Sequence, residues 1–119
     1  MPFSPNDPWL VAFLKRVSTR PGMFLGDESV RTLATFIQGY SQARTDLGFP
    51  DFVDGESTLL TDFEKWLAAK LGDTRDVAWF TLVATEDPSE RNVRTFFRLL
   101  EEFLSEHGKS LSSDATWPP

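Results

Sequence analysis

The sequence predicts an all-α protein, with four to five helices in a single compact domain at residues 1–108 and a flexible tail at 109–119. Three observations support this fold class. The chain has 119 residues, which is the length of one domain. Apolar residues recur at the helical period in several segments that capping residues, glycine and proline delimit. Eleven phenylalanines and four tryptophans supply enough large side chains for one hydrophobic core.

The first predicted helix covers residues 7–17, where Asp7 can cap the amino terminus and Pro8 suits the first turn. Its apolar residues fall on one face at helical spacing: Leu10, Phe13, Leu14 and Val17. Pro21 and Gly22 follow, and they are expected to end the helix.

The second predicted helix lies within residues 27–48, with Asp27 or Ser29 as its cap and Gly48 as its end. Its inward stripe is expected to contain Val30, Leu33, Ala34, Ile37 and Tyr40. A glycine within a helix costs about 1 kcal/mol relative to alanine. We therefore expect Gly39 to permit the close approach of another structural element.

Residues 49–58 contain proline, glycine and three acids, and they are predicted to form a loop. A capping box from Thr61 to Glu64 predicts the start of a third helix, which is expected to end at Gly72. Its apolar residues at helical spacing are Phe63, Trp66, Leu67 and Leu71.

Residues 76–84 are ambiguous between helix and strand. Their β-branched and aromatic side chains favour a strand by propensity. A lone strand cannot satisfy its own backbone groups, however, and no second segment of similar character lies nearby. We favour a short buried helix and leave the strand open as the alternative.

The last predicted helix covers residues 87–108, with Asp87 as the cap, Pro88 at the first helical position and Glu90 completing a capping box. Its apolar face is wide and is expected to contain Val93, Phe96, Phe97, Leu100, Phe103 and Leu104. Gly108 ends the helix, and the polar tail after it is expected to be loose, with Trp117 able to dock.

The composition restricts the classes of function. The chain contains no cysteine, which excludes disulfides, thiol catalysis and zinc–thiolate sites and suits a reducing cytosol. No segment has the run of about 20 apolar residues that a membrane span needs, and the amino terminus does not resemble a secretory signal. We therefore expect a cytoplasmic protein that makes no membrane contact.

The charge is negative and unevenly distributed. The formal net charge is −6; residues 1–48 carry five basic and four acidic side chains, whereas residues 49–119 carry seven basic and fourteen acidic ones. Such a balance disfavours direct binding of nucleic acid, which needs clustered Lys and Arg, and it suits a basic partner protein. A row of arginines at helical spacing is expected to pair with nearby glutamates rather than grip an anion: Arg91, Arg94 and Arg98.

Residues with catalytic chemistry are scarce. His107 is the single histidine, and its place in the last turn of a helix suits the helix dipole rather than a catalytic triad. Glu102 and Glu106 lie one turn apart, a spacing that is more typical of a solvated face than of a cation site. We therefore expect no enzymatic activity, no metal and no cofactor.

The run RPGMFLG, residues 20–26, resembles the RPGMYIG segment of DNA gyrase B subunits and their ATPase relatives. In those enzymes the next helix carries a catalytic Glu and a magnesium-binding Asn, and a downstream Asp-x-Gly-x-Gly loop binds adenine. This chain has none of these at matching places. The ATPase interpretation is therefore rejected, because a short motif needs its structural context.

A second resemblance covers residues 15–106. Small bacterial proteins share RPGMYLG, a serine-started helix with L..F..GY..A, an F..W helix, an apolar segment and an FF.LL.EF helix. The matching runs here are residues 20–26, 29–43 with Phe36, Gly39 and Tyr40, 63–66 and 96–103. The resemblance implies an immunity protein of a toxin–immunity system used in competition between bacteria, whose partner is a cognate toxin.

The motif itself is interpreted as a structural corner. Pro21 and Gly22 break the chain, Gly26 turns the backbone, and Asp27 or Ser29 starts the next helix. Three apolar residues are expected to fill the core, and these are Met23, Phe24 and Leu25. Arg20 is expected to cap helix-end carbonyls or to bind a buried acid.

The predicted function is that of an immunity protein that covers the active site of a cytoplasmic toxin, a nuclease or a nucleotide-targeting enzyme, with an acidic surface. The alternative is a non-enzymatic regulatory or adaptor module that binds protein. The candidate partner-binding acids form two groups, Asp51, Asp54 and Glu56 in the loop, and Asp73, Asp76, Glu86 and Asp87. The candidate apolar anchors are Phe49, Phe52 and Trp117.

Overall fold

The computed structural model describes residues 9–49 and 56–111, except for the side chain of Ser57, and this part of the chain is helical without any strand. Six helices follow in order: α1 (Leu10–Thr19), α2 (Pro21–Leu25), α3 (Val30–Asp46), α4 (Glu56–Leu71), α5 (Trp79–Glu86) and α6 (Val93–Glu106). The all-α prediction is confirmed. The additional helix is α2, which the RPGMFLG run forms where the sequence predicts only a corner.

The first three helices form a hairpin in which α1 and α3 run antiparallel. The ring of Trp9 lies 4.7 Å from that of Tyr40, and the ring of Phe13 lies 5.6 Å from that of Phe36. Leu10, Leu14 and Val17 of α1 are buried as predicted, and so are the predicted α3 residues Val30, Leu33, Ala34 and Ile37. Two predicted inward residues differ, since Phe13 is only partly buried and Tyr40 lies at the surface beside Trp9.

The fourth helix begins five residues earlier than the capping box predicts. α4 starts at Glu56, so the loop predicted at residues 49–58 is shorter than expected, and Thr61 and Glu64 both lie inside the helix. The segment at residues 76–84 is helical from Trp79 onward, which confirms the favoured interpretation and excludes the strand. Trp79, Leu82 and Val83 bury its inner face.

Three helices receive an amino-terminal cap from a side chain of another part of the chain. Glu56 of α4 accepts hydrogen bonds from the backbone N–H groups of Trp9 and Val11, at 3.0 and 3.2 Å, at the start of α1. Glu64 of α4 accepts from Trp79 N at 2.7 Å at the start of α5. At the start of α3, the backbone N–H of Val30 donates to the side-chain oxygen of the α6 cap residue at 2.8 Å. Helix-terminal N–H groups need such acceptors.

The α3 cap comes from the turn before α6. Asn92 is buried, accepts from Val30 N through Oδ1, and donates through Nδ2 to the carbonyl of Asp87. Residues 88–92 therefore form a turn, and α6 starts at Val93 rather than at Pro88. The predicted capping box at Asp87 is wrong because Asp87 instead accepts from Ser89 N and from the hydroxyl of a threonine in α6.

The core lies between α6 and the other helices. Three phenylalanines meet edge to face at its centre, since the ring of Phe63 lies 5.5 Å from Phe96 and 5.8 Å from Phe103. The predicted inward residues of α6 are buried except Phe97, which is partly buried. Such aromatic pairs add about 0.5–1.5 kcal/mol each beyond the area that they bury.

The carboxyl-terminal boundary lies beyond the predicted one. Gly48, Gly72 and Gly108 end their helices with positive φ, as the sequence predicts. The chain continues in packed form to Leu111, which is buried and whose N–H donates to Glu101 Oε1 at 2.8 Å. Residues 112–119, with Trp117, lie outside the described residues. None of the helices in residues 9–49 and 56–111 has the length and apolar character that crossing a membrane needs.

Candidate functional site

The RPGMFLG motif forms a short helix and two sharp changes of direction. Pro21 occupies the first position of α2, where its fixed φ suits a helix and its missing N–H costs nothing. Gly22 lies inside α2, and its carbonyl accepts from Gly26 N at 3.0 Å. Gly26 ends the helix with φ of 80°, a conformation that favours glycine. Ser29 then caps α3, as predicted, by accepting from a backbone N–H in its first turn.

The link after this motif is tied to the start of α6. The carbonyl of Glu28 accepts from Val93 N at 2.9 Å. Its carboxylate accepts from Nε of Arg91 at 2.8 Å and from Nε of Arg94 at 2.9 Å. Hydrogen bonds from these two guanidinium groups, Arg94 first, hold the pKa of Glu28 below its ordinary value. Two of the three arginines in the predicted row therefore pair with another segment of the chain, not with glutamates along their own helix.

The apolar residues of the motif do not fill the core as predicted. The side chain of Met23 is 72% exposed and that of Phe24 is 36% exposed; only Leu25 packs against the core. The predicted role of Arg20 is also wrong, since its guanidinium is exposed and contacts the sulfur of Met23 at 4.0 Å, not a carbonyl or an acid. The reason is that a five-residue helix presents one narrow face inward, and Leu25 occupies it.

The first predicted acidic group, Asp51, Asp54 and Glu56, is not available to a partner as a whole, because Glu56 is buried. Glu56 is only 2% exposed, because its carboxylate caps the start of α1, so it is unavailable to a partner. Its predicted place in a surface loop is wrong. Asp51, Phe52 and Asp54 lie outside the described residues. Phe49, the predicted anchor that precedes them, is exposed at the end of α3.

The second predicted acidic group comes from two separate segments that the fold brings together. The guanidinium of Arg75 donates to both carboxylate oxygens of Asp73, at distances of 2.7–3.2 Å. It also donates to the hydroxyl of Thr85 at 3.1 Å, which joins the α4–α5 link to the end of α5. This contact joins the segment of Asp73 and Asp76 to the end of α5, where Glu86 is the last helical residue and Asp87 follows it.

Two of these acids are held in place and remain ionised. A hydrogen bond from Arg75 lowers the pKa of Asp73, and a hydrogen bond from the hydroxyl of Thr95 lowers the pKa of Asp87. Asp76 and Glu86 are exposed, and no ion pair joins either to another described residue. We call the four acids and Arg75 the α5 acidic surface; Asp76 and Glu86 are its exposed acids, whereas the side chain of Asp73 is 12% exposed beside Arg75.

The outer face of α3 carries apolar side chains that sequence analysis did not assign to a surface. Phe36 is 45% exposed and Leu47 is 72% exposed, with Tyr40 and Ala43 between them. Gly39 lies on this face too; a Cβ added to it would meet nothing within 4 Å, so the expected close approach of another element is not made by the described residues. The sequence signal for this face is a second stripe in α3, at positions i, i+3, i+4, i+7 and i+11 counted from Phe36.

His107, the histidine of the chain, directly follows α6. Nδ1 of His107 lies 3.0 Å from the carbonyl of Phe103, and the imidazole is largely exposed. Within residues 9–49 and 56–111, no three His, Asp or Glu side chains converge in a way that can hold a metal ion. A groove of about 350 Å³ lies between the motif and α6, lined by Ser18, Thr19, Pro21, Arg94 and Phe97.

Comparison with known proteins returned no relative. No protein-family model matches the chain, and neither a curated protein nor a solved structure matches it.

Proposed function

We propose that this chain is a non-enzymatic inhibitor, an immunity protein that binds a cognate bacterial toxin in the cytoplasm and covers its active site. The toxin is a nuclease or a nucleotide-targeting enzyme, which binds phosphate in a basic cleft. The observation that carries the proposal is the α5 acidic surface, in which acids from two segments are gathered by Arg75. The resemblance in layout to small immunity-type proteins agrees with it.

The chemistry of this surface suits a basic cleft. Its four acids are accompanied by Arg75, which pairs with Asp73, and by Arg98, whose charge acts on Asp87, so the net local charge is negative. Complementary charge steers two proteins together and raises their association rate, an effect that salt screens. Because Asp73 and Asp87 are already fixed by hydrogen bonds, they lose little side-chain freedom when a partner binds.

The test is co-expression with the product of the gene that neighbours the gene of this chain, to learn whether that product is a toxin which this chain neutralises. We expect the chain to restore growth of cells that the toxin arrests and to co-purify with the toxin. The variant Asp76→Lys/Glu86→Lys is expected to slow association at low salt about tenfold or more while changing dissociation less. The control is Glu102→Lys, which reverses an acid whose exposed ion pair with Lys70 contributes little to stability.

Two results would contradict the proposal. Equal association rates for the double variant and the wild type at low salt would exclude the α5 acidic surface from the interface. Binding to a non-toxic protein without any protection of cells would favour the regulatory or adaptor module. A companion variant, Asp51→Lys/Asp54→Lys, tests the predicted loop acids separately.

A further inference from the structure

The outer face of α3 is an apolar surface of defined shape. Its apolar positions are Phe36, Gly39, Tyr40, Ala43 and Leu47. Eleven residues separate the first from the last, so the face is about 16 Å long at the rise of an α-helix. At its centre Phe36, Gly39 and Tyr40 line an open groove of about 320 Å³.

Aromatic rings behind the groove hold its walls in place. Phe36 stacks on Phe13 with an interplanar angle of 18°, and Tyr40 lies against Trp9, which is buried. The floor is open because Gly39 has no side chain and nothing lies within 4 Å of where a Cβ would be. A helix backbone can therefore approach α3 closely at this point, as packed helices do at 8–10 Å.

The surroundings of this face are basic, unlike the rest of the chain. Residues 9–49 contain five basic and three acidic side chains. Of the three acids, Glu28 is neutralised by ion pairs with two arginines, whereas Asp27 and Asp46 accept from the neutral Thr32 and Gln42 and keep their charge.

Three exposed arginines of this segment lie outside the ion pairs that the described residues form. Among the described residues, no ion pair involves Arg16, Arg20 or Arg31. Arg16 lies one turn beyond Phe13 on α1, and Arg20 follows at the end of that helix. Because α1 and α3 are antiparallel, both arginines lie toward the Phe36 end of the face. Asp27, beside Thr32, is the acid nearest that end and reduces its positive charge only in part.

We propose that the outer face of α3 is a docking surface for an amphipathic helix of a partner protein that presents apolar side chains flanked by Asp and Glu. The apolar side chains fill the groove over Gly39 between Phe36 and Tyr40. The acidic side chains meet Arg16 and Arg20. This surface is distinct from the α5 acidic surface, and the inference does not depend on the toxin proposal.

The experiment uses two designed 15-residue helical peptides as probes. Both carry leucine at helical spacing; one has glutamate at the flanking positions and the other has lysine. Binding of each labelled peptide to the full chain is measured by fluorescence anisotropy at low salt and at 0.5 M salt. The glutamate peptide is expected to bind, to bind more weakly at high salt, and to bind more tightly than the lysine peptide.

Matched variants locate the contact. Gly39→Leu places a side chain in the groove from a Cβ that meets no atom within 4 Å, and it is expected to weaken binding of the glutamate peptide about tenfold or more. Gln38→Leu adds the same side chain at an exposed position on the other side of α3 and is expected to leave binding unchanged. Arg16→Glu is expected to weaken the glutamate peptide and strengthen the lysine peptide. The melting temperature of each variant verifies that it is folded.

Three outcomes would overturn the inference. One is equal or tighter binding of the lysine peptide, which would remove the charge argument. The second is the failure of both peptides to bind. The third is a dimer of the chain in analytical ultracentrifugation that Gly39→Leu dissociates and Gln38→Leu does not, which would make a second copy the occupant of the face.

Discussion

Substitution of Glu56 tests the strongest single connection between distant segments. Its buried carboxylate accepts two backbone N–H groups at the start of α1, from Trp9 and Val11, across more than 40 residues of sequence. A hydrogen bond to a charged group contributes about 1.5–3 kcal/mol, and a buried donor left without an acceptor costs a comparable amount. The carboxylate is also placed where the helix dipole favours a negative charge.

The expected losses in the free energy of unfolding follow from how many side-chain oxygens at position 56 remain to accept the two N–H groups. Glu56→Gln keeps one acceptor oxygen and loses the other, so we expect a loss of about 2 kcal/mol in the free energy of unfolding. For a domain of this size that corresponds to a fall in Tm of about 6–10 °C. Glu56→Ala removes both acceptors and is expected to cost about 3–5 kcal/mol.

The assay is urea unfolding followed by circular dichroism at 222 nm. The matched control is Glu64→Gln, since Glu64 accepts one N–H, that of Trp79, and the glutamine amide oxygen can still accept it. We expect that control to cost about 1 kcal/mol or less. Equal destabilisation by Glu56→Gln and Glu64→Gln would refute the view that the second hydrogen bond of Glu56 carries the difference.

Three further predictions concern other positions. Asn92→Ala leaves the N–H of Val30 without its acceptor and is expected to lower the unfolding free energy by about 2 kcal/mol, measured in the same urea assay, whereas Asn92→Asp keeps that acceptor and costs less. Gly39→Ala is expected to raise the unfolding free energy by about 1 kcal/mol, because the added methyl meets no atom and alanine favours a helix; destabilisation would show that another element packs there. The pKa of Glu28 is lowered in the folded chain, so its contribution to stability is complete above the ordinary value of 4.5 and is lost as pH falls through the lower folded pKa. Glu28→Gln should therefore reduce the stability difference between pH 7 and pH 3 in thermal melts.

The sequence predicts most of the helices because their apolar faces recur at the helical period. The inner faces of α1 and α3 are examples, with Leu14 and Leu33 buried as expected. Residues 76–84 are harder, since a short apolar run has the same composition in a buried helix and a strand. There the absence of a pairing strand is the better guide, and α5 confirms it.

The starts of helices are predicted poorly because their caps are not local. Capping rules look for an acceptor within a few residues of the first turn. In this chain α5 is capped by Glu64, fifteen residues upstream, and α3 by Asn92, sixty-two residues downstream. Glu64, which is predicted to complete the capping box that begins at Thr61, instead caps the start of α5. Within the described part of the chain, Ser29 is the one local cap of the predicted kind, and Asp7, the predicted cap of the first helix, lies outside that part.

The sequence also predicts the candidate binding surfaces poorly. Glu56 and Asp73 are both carboxylates at the ends of α4, yet the first is buried as a cap and the second is partly buried in an ion pair with Arg75. Composition identifies acids but does not distinguish these two roles. Sequence analysis missed the exposed α3 stripe for a related reason. The inner apolar stripe is already enough to predict that α3 is a helix, so a second stripe is not needed for that prediction.

The caps from other segments also determine how the surfaces are held. The start of α5 depends on Glu64 of α4, and its end is tied to the α4–α5 link by Arg75 and Thr85. An isolated α5 of eight residues has neither tie and is too short to be stable in water. The positions of Glu86 and Asp87 therefore depend on α4 and α6 being folded at the same time. It follows that the α5 acidic surface should form and disappear with the whole domain in one cooperative transition, rather than order separately when a partner arrives.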